Sequence, residues 1–582
     1  MQNYKEPTVS DNTKRSERLR RTVKFLLPSD TVNRSDKWNV CFVVYSCVLA
    51  LLAVLSVGIV IRYIAGPMEG YLHSDYTDTI YWAQASFESG TVFNPDFKYA
   101  ALLPFSANLW FIPLIAVFGV TMKAHVIGMI IFLLLFVGAI YFMCRSFDWS
   151  IPWTAVSVIA MVLLLSGSNK LREIMWGHVI YYSLALLLVF FGVGFIARID
   201  KLNFGKNIKT VLAFIGIAVF FAGVATDGFQ IIALVTLPCL GALFMEYICD
   251  GSNKLLSSKA VKIYSICGVI LVATLVGLKL LDVFKGNLTA DYANTYSNLA
   301  PLDQWMDNLL GFPKKYFSLM GVTHTGSTPI FEIDTIMILI RMVAAIACLI
   351  LPVILLFNYK KISDKGIRLI LWMHIIVSAA TMFGFVCGYL SGGSTTNWRI
   401  TTMAGTGVMA SVATVKFFME RARAAKELVG ARVMALVMSV MMLGSAVNFK
   451  TMADMPMDYG RDNILHQLTE VLEENDLEYG YATFWRSQAI TLLSDSRVKT
   501  RMILVGDFKG VYTDFYQSCY SWYEDVPGVD RYFVLLTEAE DDAAYVNIEW
   551  YEFKKENKHE IIQYKDYVIY IFDRNINIEI PQ

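Results

Sequence analysis

The chain has 582 residues, 55% of them hydrophobic and only 17% charged, and its mean hydropathy is +0.48. Soluble domains carry roughly a quarter of charged residues, so a bilayer must solvate much of this surface. Fifty Lys and Arg offset fifty Asp and Glu, and a net charge of +0 gives no support to nucleic-acid binding.

The first 38 residues are polar and basic, with Arg15, Arg18, Arg20, Arg21 and Lys24 clustered. They read as a disordered cytoplasmic tail. The apolar run 39–66 is too long for a signal-peptide core and lacks a small-residue cleavage site, so it predicts a signal anchor. A spanning helix needs about 20 apolar residues. Runs of that size lie at 39–64, 125–143, 151–167, 179–198, 210–225, 229–249, 261–281, 335–357, 367–390, 400–418 and 431–448. They predict an all-α polytopic membrane domain of about eleven transmembrane helices over 39–449.

The run at 102–120 is different, because Pro104, Ser106, Asn108 and Pro113 interrupt it and two prolines suit a packed spanning helix badly. Lys and Arg collect on the cytoplasmic side of a membrane. The basic loops 198–209, 254–262, 360–368 and 416–432 share that side only if 102–120 does not cross, so it is expected to lie in the interface or to re-enter. The N-terminus is then cytoplasmic. Loops 67–123 and 282–334 and the segment 450–582 are extracytoplasmic, and the expected location is a bacterial plasma membrane.

The C-terminal segment changes character. Ile464, Leu465, Leu468, Val471 and Leu472 share one face of an amphipathic helix over 461–475. Strands are predicted at 479–484, 498–505, 531–536, 559–564 and 567–572, the last pair joined by a two-residue turn at Lys565-Asp566. This predicts a small α/β domain. Cys519 is its only cysteine, which excludes an internal disulfide.

The first long loop holds the stretch 71–84, YLHSDYTDTIYWAQ. Asp75 and Asp78 are three apart and would share a helical face, where carboxylates serve as a general base or hold a divalent cation. Alternatively Asp75 caps a helix running to about Ser89, with Asp78 in its first turn. His73 either orients Asp75 or is solvated. Asp227, in Thr226-Asp227-Gly228, reads as turn chemistry. Glu246 and His374 read as helix–helix hydrogen bonds. Loop 282–334 is long enough to cover a substrate, but no residue in it stands out.

An acid opening the first outer loop, an aromatic-rich helix, a Pro-containing apolar segment ending in Phe-Gly (104–119) and then an unbroken spanning helix resemble the GT-C superfamily of membrane glycosyltransferases. The similarity is to its protein mannosyltransferase and lipid A aminoarabinose transferase branch, and it covers roughly residues 40–200. The stretch 479–485, YGYATFW, resembles the extracytoplasmic tail domain of bacterial multi-pass sugar transferases. The resemblance implies a polyprenyl-phosphate sugar donor, an extracytoplasmic acceptor (glycan, lipid or protein), inversion at the anomeric carbon and a catalytic acid at the position of Asp75. Members commonly carry their second acid adjacent or one residue away, so Asp78 departs from the pattern. Some members use a divalent cation and others none, so no metal ligand is assigned.

A departing phosphate needs positive charge. Arg399 follows a flexible Gly/Ser/Thr loop, Arg341 lies about two turns inside a span, and Lys170 and Arg172 sit in the loop 168–178. Arg341 could instead snorkel or pair with Glu332 or Asp334, and Arg399 could anchor headgroups beside Trp398. Glu173 and His178 are second-rank candidates, because this region borders the active site in the related transferases, and His73 and Asp227 rank with them. Two other classes stay open: a glycan polymerase, ligase or polysaccharide exporter, and a non-enzymatic membrane sensor or scaffold.

Overall fold

The computed structural model describes residues 36–575 apart from 203–207, 251–253, 255, 291–297, 325–327, 393–395, 507–509, 514 and 546–547, so the basic tail 1–35 lies outside the described residues. Among the described residues ten helices are long and apolar enough to cross a membrane, and the count is eleven when Ile151–Leu164 and Asn169–Gly177, bent by 117° at a short break, form one crossing. The chain is a multi-pass membrane protein.

The segment 102–120 does not cross. It forms Pro104–Ala107 and the eight-residue helix Phe111–Phe118, which rises only about 12 Å against a core of about 30 Å. Pro104 starts the first helix and Pro113 lies in the first turn of the second, where backbone N–H groups have no intrahelical partner to lose. Asp227 ties this segment to the bundle, because its Oδ1 accepts the backbone N–H of Phe105 at 3.3 Å. The backbone turns here, with Gly228 at φ +84°, but the Asp227 side chain serves this long-range contact and makes no cap bond of its own turn.

Loop 282–334 is not free of structure. It carries the helix Gln304–Leu319, whose C-terminal turn meets the break after Leu164. Ser168 Oγ donates to the Leu319 carbonyl at 2.7 Å. A Cβ on Gly321, at φ +83°, would lie 2.2 Å from the Gly167 oxygen, so only glycine allows this backbone contact.

The C-terminal domain is a six-stranded sheet of order β3-β2-β1-β4-β6-β5, with β1 Tyr479–Thr483, β2 Lys499–Gly506, β3 Gly510–Thr513, β4 Tyr532–Thr537, β5 His559–Tyr564 and β6 Tyr567–Phe572. β1 runs parallel to both β2 and β4, while the two edges are antiparallel. The predicted strands and the Lys565-Asp566 turn are all present. The amphipathic helix spans Ile464–Glu474. The short edge strand β3 and the helices Phe484–Leu493, Glu538–Tyr545 and Ile548–Glu556 were not foreseen.

This domain closes on the first loop. Gln488 Nε2 donates to the Gln517 carbonyl at 2.6 Å, and Tyr81 donates to the Gln488 carbonyl at 3.3 Å. Arg62, at the end of the first span, donates to the carbonyls of Met452 and Met455 at the end of the last. At the other end of the bundle Glu246, only 1% exposed, pairs with Arg368 at 2.9 Å and Lys365 at 3.4 Å, and Lys262 meets Asp200 at 3.6 Å. His374 contacts Thr406 at 3.0 Å. Both interior polar residues thus serve helix–helix contacts.

Candidate active site

After the first span the chain makes a 3-10 turn over Pro67–Tyr71, extends through His73 and makes a second 3-10 turn over Ser74–Thr77 before the helix Asp78–Ser89. Asp75 therefore does not cap that helix. Thr77 stands at the cap position and makes no side-chain cap bond. The 3-10 turn frees the Asp75 carboxylate for a neighbour distant in sequence.

That neighbour is Glu173. The break after Leu164 turns Asn169–Gly177 through 117° and brings Glu173 Oε2 to 3.5 Å from His73 Nε2, while Oε1 meets Lys170 Nζ at 2.5 Å. His73, Asp75 and Glu173 each offer a ligand atom, and these atoms all lie within 4.8 Å of one another. Tyr76 packs between the two segments, its ring 4.9 Å from that of His73 and stacked 6.0 Å from that of His178. A Cβ at Gly177 would lie 2.2 Å from the Tyr76 ring, so glycine is required there for the segments to meet.

The electrostatics divide the two acids of the loop. Burial raises the pKa of the Asp75 carboxyl above its usual 3.8 and the charge of Glu173 raises it further, while His73 and Lys170 oppose them. A raised carboxyl pKa suits a group that must accept a proton. Asp78 is also pushed well up, first by burial and then by the charge of Asp75, but it faces the C-terminal domain and accepts Gln517 Nε2 at 2.9 Å. Gln517 Oε1 in turn accepts the indole N–H of Trp82 at 2.6 Å. Asp78 lies in the seam between loop and domain.

Several buried polar atoms around the cluster lack a hydrogen-bond partner among the described residues: His73 Nδ1, Ser74 Oγ, Arg172 Nε and both ring nitrogens of His178, where buried polar atoms normally have one.

The cations lie at this same end. Arg172, 2% exposed, donates to the Ser166 carbonyl at 2.8 Å and stands over the Tyr63 ring at 5.6 Å. Arg341, an expected phosphate-binding residue, donates to Asn448 at 2.8 Å and Thr451 at 2.6 Å, both on the last span. The cause is register: the guanidinium meets two polar side chains of that helix at its own depth. Arg399, 4% exposed, donates to the Tyr389 carbonyl at 2.9 Å and stacks over Trp398 at 5.2 Å. Lys315, in the helix Gln304–Leu319, lies beside it. Lys315 Nζ donates to Thr396 Oγ1 at 3.0 Å, and burial, then the charge of Arg399, lowers its pKa. Asn397 Nδ2 donates to Ser318 Oγ at 3.1 Å, and the next residue, Leu319, accepts Ser168. One helix end thus joins the Arg399 loop to the segment that carries Glu173.

The chain aligns with the crystal structure of ArnT from Cupriavidus metallidurans in the apo state at a TM-score of 0.51, with 12% identity over 93% of this chain and 99% of that one. The fold is GT-C. The same enzyme bound to undecaprenyl phosphate aligns at a TM-score of 0.45, with 12% identity over 94% and 100% of the two chains. The archaeal oligosaccharyltransferase AglB from Archaeoglobus fulgidus, in complex with an inhibitory peptide and a dolichol-phosphate, aligns at 0.44, with 10% identity over 92% and 75%. The fold assignment rests on the first of these. No family profile matches the chain, and no curated protein matches it.

On this GT-C frame the structure gathers Asp75, His73, Glu173 and Lys170, stacks His178 behind them through Tyr76, and turns Asp78 toward the C-terminal domain. Asp227 is 2% exposed and is committed to Phe105. Sequence reading missed Lys315. Its signal was a Lys314-Lys315 pair in a loop that the charge distribution had placed on the side poor in basic residues.

Proposed function

We propose that this chain is a membrane glycosyltransferase that moves a sugar, with inversion, from a polyprenyl-phosphate donor to a hydroxyl of an extracytoplasmic acceptor. The observation that carries the reading is the meeting of Asp75 with His73, Glu173 and Lys170 at the end of a GT-C bundle that also holds Arg399, Lys315 and Arg341. The short basic loops at the opposite end support placing this end outside the cytoplasm.

Asp75 accepts the proton of the acceptor hydroxyl as that oxygen bonds to the anomeric carbon. The bond from that carbon to the phosphate oxygen breaks on the opposite face, and its electron pair leaves with the phosphate. Arg399 and Lys315 neutralise the charge that develops there, with Arg341 at the same end of the bundle. Glu173, paired with Lys170 and His73, keeps a negative charge beside Asp75 and so keeps Asp75 basic.

His73, Asp75 and Glu173 form a nitrogen and oxygen donor set of the kind that binds zinc or manganese. A divalent cation held there would take the Asp75 carboxylate as a ligand, and would itself lower the pKa of the acceptor hydroxyl in place of Asp75 acting as base.

The test is incubation of the purified protein, in liposomes, with a panel of radiolabelled polyprenyl-phosphate sugars. Wild type should consume at least one donor and the Asp75→Asn protein none. Survival of every donor in the wild-type reaction refutes the proposal.

A further inference from the structure

Trp485 is 56% exposed, although it lies in the helix that locks the C-terminal domain onto the catalytic loop. That helix, Phe484–Leu493, begins at the carboxyl end of β1. Gln488, one turn further along, accepts the Thr77 hydroxyl at 3.1 Å. Residues three apart share a helical face, so the interface ends at Gln488 and Trp485 projects beyond it. The indole meets His73 edge to face, with ring centroids 5.7 Å apart, and is braced from behind by Phe484 at 5.3 Å. His73 is the residue that reaches Glu173. The exposed indole therefore overhangs the acid cluster.

We infer that Trp485 is the platform of the acceptor subsite, on which a pyranose ring of a carbohydrate acceptor stacks while one of its hydroxyls reaches Asp75. This rests on the transferase reading and names the class of acceptor. An aromatic face carries negative potential and attracts the weakly positive C–H face of a sugar ring. The alternative occupant is a lipid chain. Close to this indole, however, His73 and, through Glu173, Lys170 keep 28% and 30% of their side chains exposed. A hydrocarbon would strip both of water and return no hydrogen bond. A sugar presents an apolar face to Trp485 and hydroxyls to those polar groups. The inference also explains why a chain with a membrane-embedded catalytic bundle ends in a water-facing domain: that domain supplies one wall of the site.

The experiment uses the full-length protein labelled with 5-fluorotryptophan, with the Trp485 signal identified by its loss in Trp485→Phe. Methyl glycosides of glucose, galactose, mannose and N-acetylglucosamine are titrated in turn, and dodecylphosphocholine separately. At least one glycoside should shift the Trp485 fluorine resonance saturably at millimolar concentration. A resonance that no glycoside moves, or that only the alkyl lipid moves, overturns the inference. Transfer measured alongside separates the two claims. Consumption of donor with a silent Trp485 removes only this subsite. A saturable glycoside shift in a protein that consumes no polyprenyl-phosphate donor keeps the carbohydrate site and removes the transferase reading.

Discussion

Replacing each of the two loop acids by its amide should have very different consequences. Asp75 caps no helix, so Asp75→Asn loses no cap bond, and it relieves repulsion from Glu173 and Asp78. Its melting temperature should equal or exceed that of wild type. As the general base, however, Asp75 contributes a factor of about 10²–10⁴, or about 2.7–5.4 kcal/mol at about 1.36 kcal/mol per tenfold. Asp78→Asn keeps an oxygen for Gln517 Nε2 and loses only the charged character of that bond, at about 1 kcal/mol, or about fivefold if all of it reached the transition state. The assay is single-turnover loss of labelled polyprenyl-phosphate sugar in liposomes, paired with thermal unfolding of the same preparations. Equal losses for the two variants, or an Asp75→Asn protein that retains more than about a tenth of wild-type turnover, would refute the division of roles.

The raised pKa of Asp75 sets the pH response. The base works when unprotonated, so turnover should climb with pH through a midpoint above the ordinary aspartate value of about 4, and a profile flat down to that value contradicts the assignment. Arg399→Ala and Lys315→Ala should each lower the single-turnover rate of donor cleavage about tenfold or more, the worth of one charge-assisted bond, with little effect on the KM for the acceptor; single-turnover kinetics at saturating donor check this. Gln517→Ala leaves Asp78 and the Trp82 indole short of a partner and should destabilise the seam by about 1–3 kcal/mol, read as faster proteolytic cleavage between the spans and the C-terminal domain. Metal content measured by mass spectrometry should fall in Glu173→Gln protein and after chelation, if His73, Asp75 and Glu173 together bind a cation; identical content in both proteins argues against that set.

The topology was legible because each crossing is a run of apolar residues long enough to stand alone, and because charge in the short loops fixed which run to leave out. Pro104 and Pro113 marked 102–120 as different, and two short helices occupy it. The longer strands stood out as runs rich in aromatic and β-branched residues, whereas β3, four residues at a sheet edge, is too short to stand out. The site was half legible. Asp75 was visible as an acid opening a loop, but Glu173 ranked second because its approach depends on a break and a 117° bend that no local pattern encodes. Gln517 and Trp485 were invisible for the same reason: their importance arises only where a distant domain folds back.

That folding back sets an order of events during synthesis. The hydroxyl of Thr77 is bonded to a side chain made 411 residues later, which at about 5–20 residues per second is a delay of roughly 20–80 s. Through that interval the aromatic face of the first loop, with Tyr81 and Trp82, waits uncovered beside a half-built bundle. A ribosome that stalls before β1 therefore leaves an incomplete chain whose first loop lacks its covering domain, so the packing of that loop is coupled to synthesis of the strands that follow.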